Sequence, residues 1–308
     1  MDIKIDLSFL DDVEDTTQKM IQEVQEDESF FAQYVAPLQL SEPQFEEYIT
    51  IFYKMHVERK NCAHCPGLAH CPNEIVGMLS HVKKDGDLLQ RTFSECRLAK
   101  EEKSIENAFL YRQYAKKEYE NLTLESMRKY DELDLRARAL RVQLSNKIKR
   151  HNDQWIYIYG DKKSGKSQFA SAYANDYAKK GLGTVAYISY KELLKYLTEI
   201  QYKDKKSYET LLQELSQASL LVFDGFGESY LTKSISETFL IPLLLSRLEE
   251  HKETMILTKY VTEELLDLLS GSTKAGRIIW SPIVENIKAH CARENGKKYM
   301  FKLNALII

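Results

Sequence analysis

Apolar positions fall into two regimes along the chain. Over residues 41–56, Phe45, Tyr48, Ile49 and Phe52 recur at helical spacing, and Ser41 with Gln44 has the spacing of a capping box. Pro43 sits in the first turn, where a missing N–H costs little. An earlier helix is predicted from Thr16 to Tyr34, interrupted near "QEDES". Residues 99–130 are charged, with alternating signs and almost no Gly or Pro, which predicts an exposed helical linker. Leu140, Leu144 and Ile148 then line one face of a helix that packs on the C-terminal half of the chain. From Trp155 the pattern changes. Short runs rich in β-branched and aromatic residues recur at "WIYIYG", "TVAYIS", "SLLVFD", "TMILT" and "KYMFKL", separated by helical stretches. Strands alternating with helices predict a parallel α/β sheet.

Length and charge narrow the picture without naming a function. The 308 residues suffice for two domains. A net charge of −3 excludes a protein coated in positive charge, so any nucleic-acid contact has to come from a local patch. No apolar run is long enough to span a bilayer, and "MDIKIDLSFLDD" is too acidic for a signal peptide, so a cytoplasmic protein is expected.

The chemistry concentrates in two places. Gly160, Asp161, Lys162, Lys163, Ser164, Gly165, Lys166 and Ser167 form a complete G-x-x-x-x-G-K-[ST] phosphate loop, followed by Gln168. A strand precedes it and a helix comes after, with Gly181 as the stop signal. Glycines let the backbone approach the phosphates, and successive N–H groups cradle their oxygens. Lys166 is expected to reach the β- and γ-phosphates, and Ser167 to offer its hydroxyl to magnesium. "SLLVFDGFGES" delivers Asp224 to a strand end, where it would orient the same Mg2+ and its water.

The second place is the cysteine window. Four of the five cysteines lie between 62 and 96. Clustered cysteines in a cytoplasmic chain indicate metal before disulfide. Cys62 and Cys65 form a C-x-x-C hook for zinc, and Cys96 is the expected third ligand. The fourth ligand is open between His81, which would make three cysteines and one histidine, and Cys71, which would make all four ligands cysteine. The window has few large apolar residues, and a structural Zn2+ can supply about 10 kcal/mol of folding free energy. Cys291 and His290 are expected at a helix end, and Trp155 and Trp280 as packing residues. The basic loop "QYKDKK" at 201–206 is a candidate contact for single-stranded DNA.

"YIYGDKKSGKSQFASAYANDYAKKG" and "LLVFDGFGES", preceded by a helical region with "CAHCPGLAHC", resemble the bacterial replicative-helicase loaders of the DnaI type, which are AAA+ ATPases. The resemblance implies an N-terminal helical zinc-binding domain over 1–98 that grips the hexameric helicase, with His81 as its fourth zinc ligand. The charged linker would come next over 99–130, and an ATP-binding AAA+ domain over 131–308. It implies loading of that helicase onto single-stranded DNA and self-association through the AAA+ domain. Arg247 in "PLLLSRLEEHKETMILT" matches the family's helix after the acidic strand, and Arg277 in "STKAGRII" would be its arginine finger. The chain departs from the family where a second Asp is usual (Gly225), where a polar sensor is usual (Lys259) and where a sensor arginine is usual (Asn286). Those departures remove groups that act in the transition state and leave the binding groups, so slow hydrolysis is expected. Glu228 is the nearest spare carboxylate. Two alternatives stay open: an adaptor that holds the helicase with ATP as a structural ligand, and a transposition-helper type of DNA-dependent ATPase.

Overall fold

A computed structural model describes residues 8–86, 88–150, 153–291 and 299–303, with the side chains of 8–14 left aside. The chain divides into two compact units, one ending at Lys103 and one beginning at Ser104.

In the first unit, helix α1 (Ser8–Glu26) ends where Asp27 caps the next turn, its carboxylate accepting from the Phe30 N–H at 3.0 Å. The predicted interruption near "QEDES" is this cap. Helices α2 (Glu42–Glu47) and α3 (Ile49–Ala63) come next, separated at Tyr48 where one helix was expected. The Gln44 side chain accepts from the Ser41 N–H at 3.1 Å, as the capping-box spacing predicts. Val24, Phe30, Phe45, Ile49, Phe52 and Met55 form the core. A hairpin of β1 (Met78–Asp85) and β2 (Leu88–Glu95) completes the unit and adds Leu89 to that core. The "KKDGD" turn was legible, whereas its flanking strands were not, because their charged, half-exposed residues carry a weak alternation.

Glu58 is buried on α3, and its carboxylate needs partners there. It accepts from the Ser80 N–H at 2.8 Å and from Arg91 at 2.6 Å. This joins helix to hairpin.

Helix α4 (Arg97–Ala108) leads into the second unit. The helical linker expected over 99–130 stops there. Its remainder forms strand β3 (Phe109–Arg112) and two short 3-10 turns that bury Tyr119, Leu124, Met127 and Tyr130. Tyrosines and leucines spaced among the charges supply a buried face that the alternating signs concealed.

The five predicted strands are present as β4 (Ile156–Gly160), β5 (Val185–Ser189), β6 (Leu220–Asp224), β7 (Glu253–Thr258) and β8 (Met300–Leu303). With β3 they form one parallel sheet in the order β3-β5-β6-β7-β4-β8. Alternate residues go to opposite faces. Tyr157, Ile188, Leu221, Phe223 and Ile256 pack into one core, and Ile158, Tyr187, Val222, Met255 and Leu257 into the other. Helices cover both faces, which is why the strands are nearly continuous apolar runs. They are α5 (Leu135–Arg150), α6 (Lys166–Lys179), α7 (Tyr190–Ile200), α8 (Lys205–Gln217), α9 (Ile241–Glu249), α10 (Thr262–Leu269) and α11 (Lys274–His290). Trp155 and Trp280 are core residues, as expected.

Among the described residues, no helix is long and apolar enough to cross a membrane.

Candidate nucleotide site

The phosphate loop leaves β4 at Gly160 and enters α6 at Lys166. Gly160 has φ +142, and a Cβ there would lie 2.0 Å from the Leu303 carbonyl oxygen on the neighbouring strand, so only glycine fits. Gly165 and Lys163 also take positive φ, the kind of conformation with which such a loop curls around an anion-sized hollow. The Lys166 ammonium sits over this hollow, donating to the carbonyls of Gly160 at 2.7 Å and Asp161 at 2.8 Å. Burial lowers its pKa, against the pull of Glu228, Asp224 and Asp161. A cation held on two neutral carbonyls is readily transferred to a phosphate oxygen, a stronger acceptor.

Strand β7 lies between β4 and β6, so the loop and the acidic strand end are one strand apart. That spacing brings Ser167 Oγ within 3.0 Å of Asp224 Oδ1. The other carboxylate oxygen accepts from the Tyr187 hydroxyl at 2.9 Å. Burial raises the Asp224 pKa, while Ser167, Tyr187 and Lys166 oppose the rise. A half-buried carboxylate beside a hydroxyl, next to the phosphate loop, is a donor set suited to a hard divalent cation. Ser167, Asp224, Gly225 and Glu228 line a cleft of about 710 Å³ together with Gln113 and Tyr114.

The remaining predicted residues are distributed around this centre. The Glu228 N–H bonds the Gly225 carbonyl at 3.0 Å, and its carboxylate lies close enough to act electrostatically on both Lys166 and Lys259. Lys259 comes just after the C-terminal end of β7 and is exposed, with its ammonium 4.8 Å from the Tyr260 ring centroid. Its pKa is raised by Tyr260 first and by Glu228 further. Gly225 has φ +79, a backbone conformation rarely adopted by the aspartate usual in the resembling family. Arg277 is exposed on α11 and paired with Asp267. Asn286 is exposed on the same helix. Arg247 is fully buried away from solvent and serves structure. Lys203, Lys205 and Lys206 are exposed in and after the turn between α7 and α8, where Asp204 caps α8 through the Ser207 N–H at 3.0 Å.

Sequence reasoning missed Tyr187 and Tyr114. Tyr187 looked like one more apolar strand residue. Its signal is positional: Ser189 pairs with Asp224, so Tyr187 lies two residues away on the same face.

In the first unit, no group of three or more His, Cys, Asp or Glu among the described residues is arranged to hold a metal ion. The cysteines nevertheless share one neighbourhood. The Cys62 thiol is pushed up by burial, opposed by a bond from Asn73, and pushed further by Cys65, Cys71 and Cys96. Asn73 Nδ2 donates to Cys62 Sγ at 3.5 Å, and the Ala99 N–H to Cys96 Sγ at 3.4 Å. His81 is on β1, where its Nε2 meets Ser94 Oγ at 2.7 Å. Cys291 is buried at the end of α11, and burial pushes its thiol up to about 12.

No protein-family model and no curated protein sequence matches the chain. Solved structures do. The crystal structure of DnaI superposes with a TM-score of 0.52 at 16% identity, covering 64% of this chain and 97% of that one. The α/β unit therefore shares its fold with that structure. A putative primosome component from Streptococcus pyogenes serotype M3 gives a TM-score of 0.47 at 15% identity, covering 65% of this chain and 94% of that one. The DnaC helicase loader gives 0.46 at 20% identity, covering 61% and 99%.

Proposed function

We propose that this chain binds ATP with magnesium at the phosphate loop and loads a hexameric replicative helicase onto single-stranded DNA. The observation that carries the nucleotide reading is the Ser167–Asp224 bond at 3.0 Å beside the Lys166 ammonium. Lys166 would hold the β- and γ-phosphates, and Ser167 with Asp224 would hold the cation. Bound Mg2+ would neutralise phosphate charge. Glu228 would orient water, and Arg277 of a neighbouring copy would supply positive charge once released from Asp267.

The loader reading is supported by the fold shared with DnaI and by a separate N-terminal unit that carries four cysteines. That unit would dock the helicase. Cys62, Cys65, Cys71 and Cys96 would hold a structural zinc. Their shared neighbourhood and the N–H donors aimed at two of their sulfurs support this set, because metal-bound thiolates accept such bonds. His81 is already engaged by Ser94, which favours Cys71 as the fourth ligand.

The test has two parts. A fluorescent ATP analogue binds the full chain in the presence of Mg2+ and loses binding in Lys166→Ala. The full chain co-purifies with the replicative helicase, and residues 104–308 alone do not. Equal retention of the helicase by residues 104–308 would sink the docking assignment. Absence of nucleotide binding would sink the site.

A further inference from the structure

Asp224 is held from two sides, and only one of them belongs to the phosphate loop. Its Oδ1 accepts from Ser167, and its Oδ2 accepts from the hydroxyl of Tyr187 at 2.9 Å. Strand register explains the second contact. Ser189 is opposite Asp224 in the parallel pair, so Tyr187 occupies the diagonal position on the same face. A diagonal neighbour lies roughly 7–8 Å away between Cα atoms, which a tyrosine bridges and a short polar side chain does not.

Tyr187 is itself fixed. It has no exposed surface, and the ring of Tyr114 meets it edge-on with centroids 4.5 Å apart and planes at 88°. Tyr114 is anchored in turn by its hydroxyl on Asn175 Oδ1 at 2.7 Å. The Gln113 N–H also bonds the Tyr187 carbonyl at 2.9 Å. The phenol therefore reaches Asp224 from a rigid support, as a neutral donor to an anion, a bond stronger than one between neutral groups.

We infer that Tyr187 is a positioning residue for the divalent cation: its hydroxyl locks the Asp224 carboxylate with one oxygen turned to Ser167 and the nucleotide cleft. Without that donor the half-buried carboxylate loses a partner and is free to rotate away from Ser167. The hydroxyl also makes a longer contact of 3.4 Å to the Ser167 carbonyl, so the main consequence falls on the cation, while the phosphates would be held by the loop N–H groups and Lys166. This inference rests on the nucleotide reading above.

The experiment measures binding of a fluorescent ATP analogue to the full chain across a Mg2+ titration and in EDTA. Tyr187→Phe removes only the hydroxyl and keeps the ring. It is expected to raise the Mg2+ concentration at half-effect by about tenfold, the range for losing a hydrogen bond to a charged group, with EDTA affinity unchanged. Tyr190→Phe, which removes a buried hydroxyl that has no partner among the described residues, leaves both unchanged. In an Asp224→Asn background the effect of Tyr187→Phe on the Mg2+ response disappears. A Mg2+ midpoint in Tyr187→Phe equal to that of the unaltered chain would overturn the inference. So would equal losses with Mg2+ and in EDTA, which mark a general structural role. Failure of the unaltered chain to bind nucleotide under either condition defeats the nucleotide reading itself. Should Tyr187→Phe not fold, 3-fluorotyrosine at position 187 reports on the intact bond. Its 19F resonance moves when Mg2+ is added to the nucleotide-bound chain and stays still in Asp224→Asn. A resonance that ignores Mg2+ in the unaltered background also overturns the inference.

Discussion

Arg247 Nη1 donates to the Ala218 carbonyl at 2.8 Å, tying helix α9 to the residue that ends α8. The same guanidinium donates to the carbonyls of Leu215 at 2.7 Å and Ser216 at 3.1 Å, to that of Glu253, and to Thr254 Oγ1 at 2.9 Å. Carbonyls at a helix C-terminus lack partners within the helix and attract a cation. A planar fork of five donors meets several of them at once, which a lysine cannot do. Burial lowers the arginine's pKa to about 9, so the group stays charged near neutral pH.

Replacing Arg247 therefore strands buried carbonyls. Arg247→Met should cost on the order of 3–5 kcal/mol, and Arg247→Lys nearly as much. Thermal melts check the size of the loss. The fraction that remains folded should bind nucleotide as before, since Arg247 touches nothing in the phosphate site. A stable Arg247→Met with altered nucleotide affinity would show that this arginine works in the site.

Asp131 and Arg141 form a two-pronged pair, with Nε to Oδ1 at 2.9 Å and Nη2 to Oδ2 at 2.5 Å. Both side chains are largely buried. The Arg141 guanidinium holds the Asp131 carboxyl below the usual carboxylate range. A depressed folded pKa contributes stability that is fully present above the ordinary value. It is lost as pH falls through the folded one. Asp131→Asn should thus destabilise the chain by about 1–2 kcal/mol at pH 7 and by less at an acidic pH below the ordinary carboxylate value. Urea melts at both pH values check this, and an equal loss at the two would refute it.

The five sheet strands, the phosphate loop and Asp224 were legible because each rests on local chemistry: apolar runs, glycines at a turn, an acid ending a buried strand. What was hidden depends on partners distant in sequence. Tyr111 on β3 bonds Glu214, and Leu124 donates to Asp176 at 2.9 Å, so a stretch that looks like solvated helix is stitched to the α/β unit. Lys147 and Glu253 form a buried ion pair at 3.3 Å, with Tyr173 donating to the same carboxylate at 2.5 Å. Neither charge betrays its burial from its neighbours in sequence. The role of Arg247 was hidden in the same way: the sequence showed only that it matches a helix of the resembling family, while its partners are backbone carbonyls and the Thr254 hydroxyl.

The zinc proposal separates its two fourth-ligand candidates. Cys71→Ser should reduce bound zinc well below one equivalent, together with Cys62→Ser, Cys65→Ser and Cys96→Ser. His81→Gln should retain the metal, because His81 is paired with Ser94 on the hairpin. Metal analysis of the purified full chain reads the outcome. Zinc loss in His81→Gln with retention in Cys71→Ser would reverse the assignment. A full chain that carries no zinc and keeps its fold in chelator would remove the site.

Turnover should be slow in the isolated chain, and two residues account for it. Gly225 offers no side chain where the resembling family places a second aspartate. Lys259 sets a cation within electrostatic range of Glu228, the carboxylate proposed to orient water. A cation in that range would favour the ionised carboxylate and weaken it as an acceptor for water's proton, which would lower the rate without weakening the contacts that hold nucleotide. Lys259→Asn should raise turnover several-fold, on the scale of one charge contact, with little change in nucleotide affinity. Gly225→Asp faces a further obstacle. Its φ of +79 costs a non-glycine residue about 1–2 kcal/mol, although a new Cβ would meet no atom within 4 Å. Aspartate is among the residues that tolerate this conformation best, so the variant should fold with a lowered melting temperature and a raised turnover. Phosphate release measured with helicase and single-stranded DNA present checks both. Brisk hydrolysis by the unaltered monomer would refute the account of Gly225 and Lys259. Unchanged turnover in the double variant would show that Glu228 is not the group that limits the reaction.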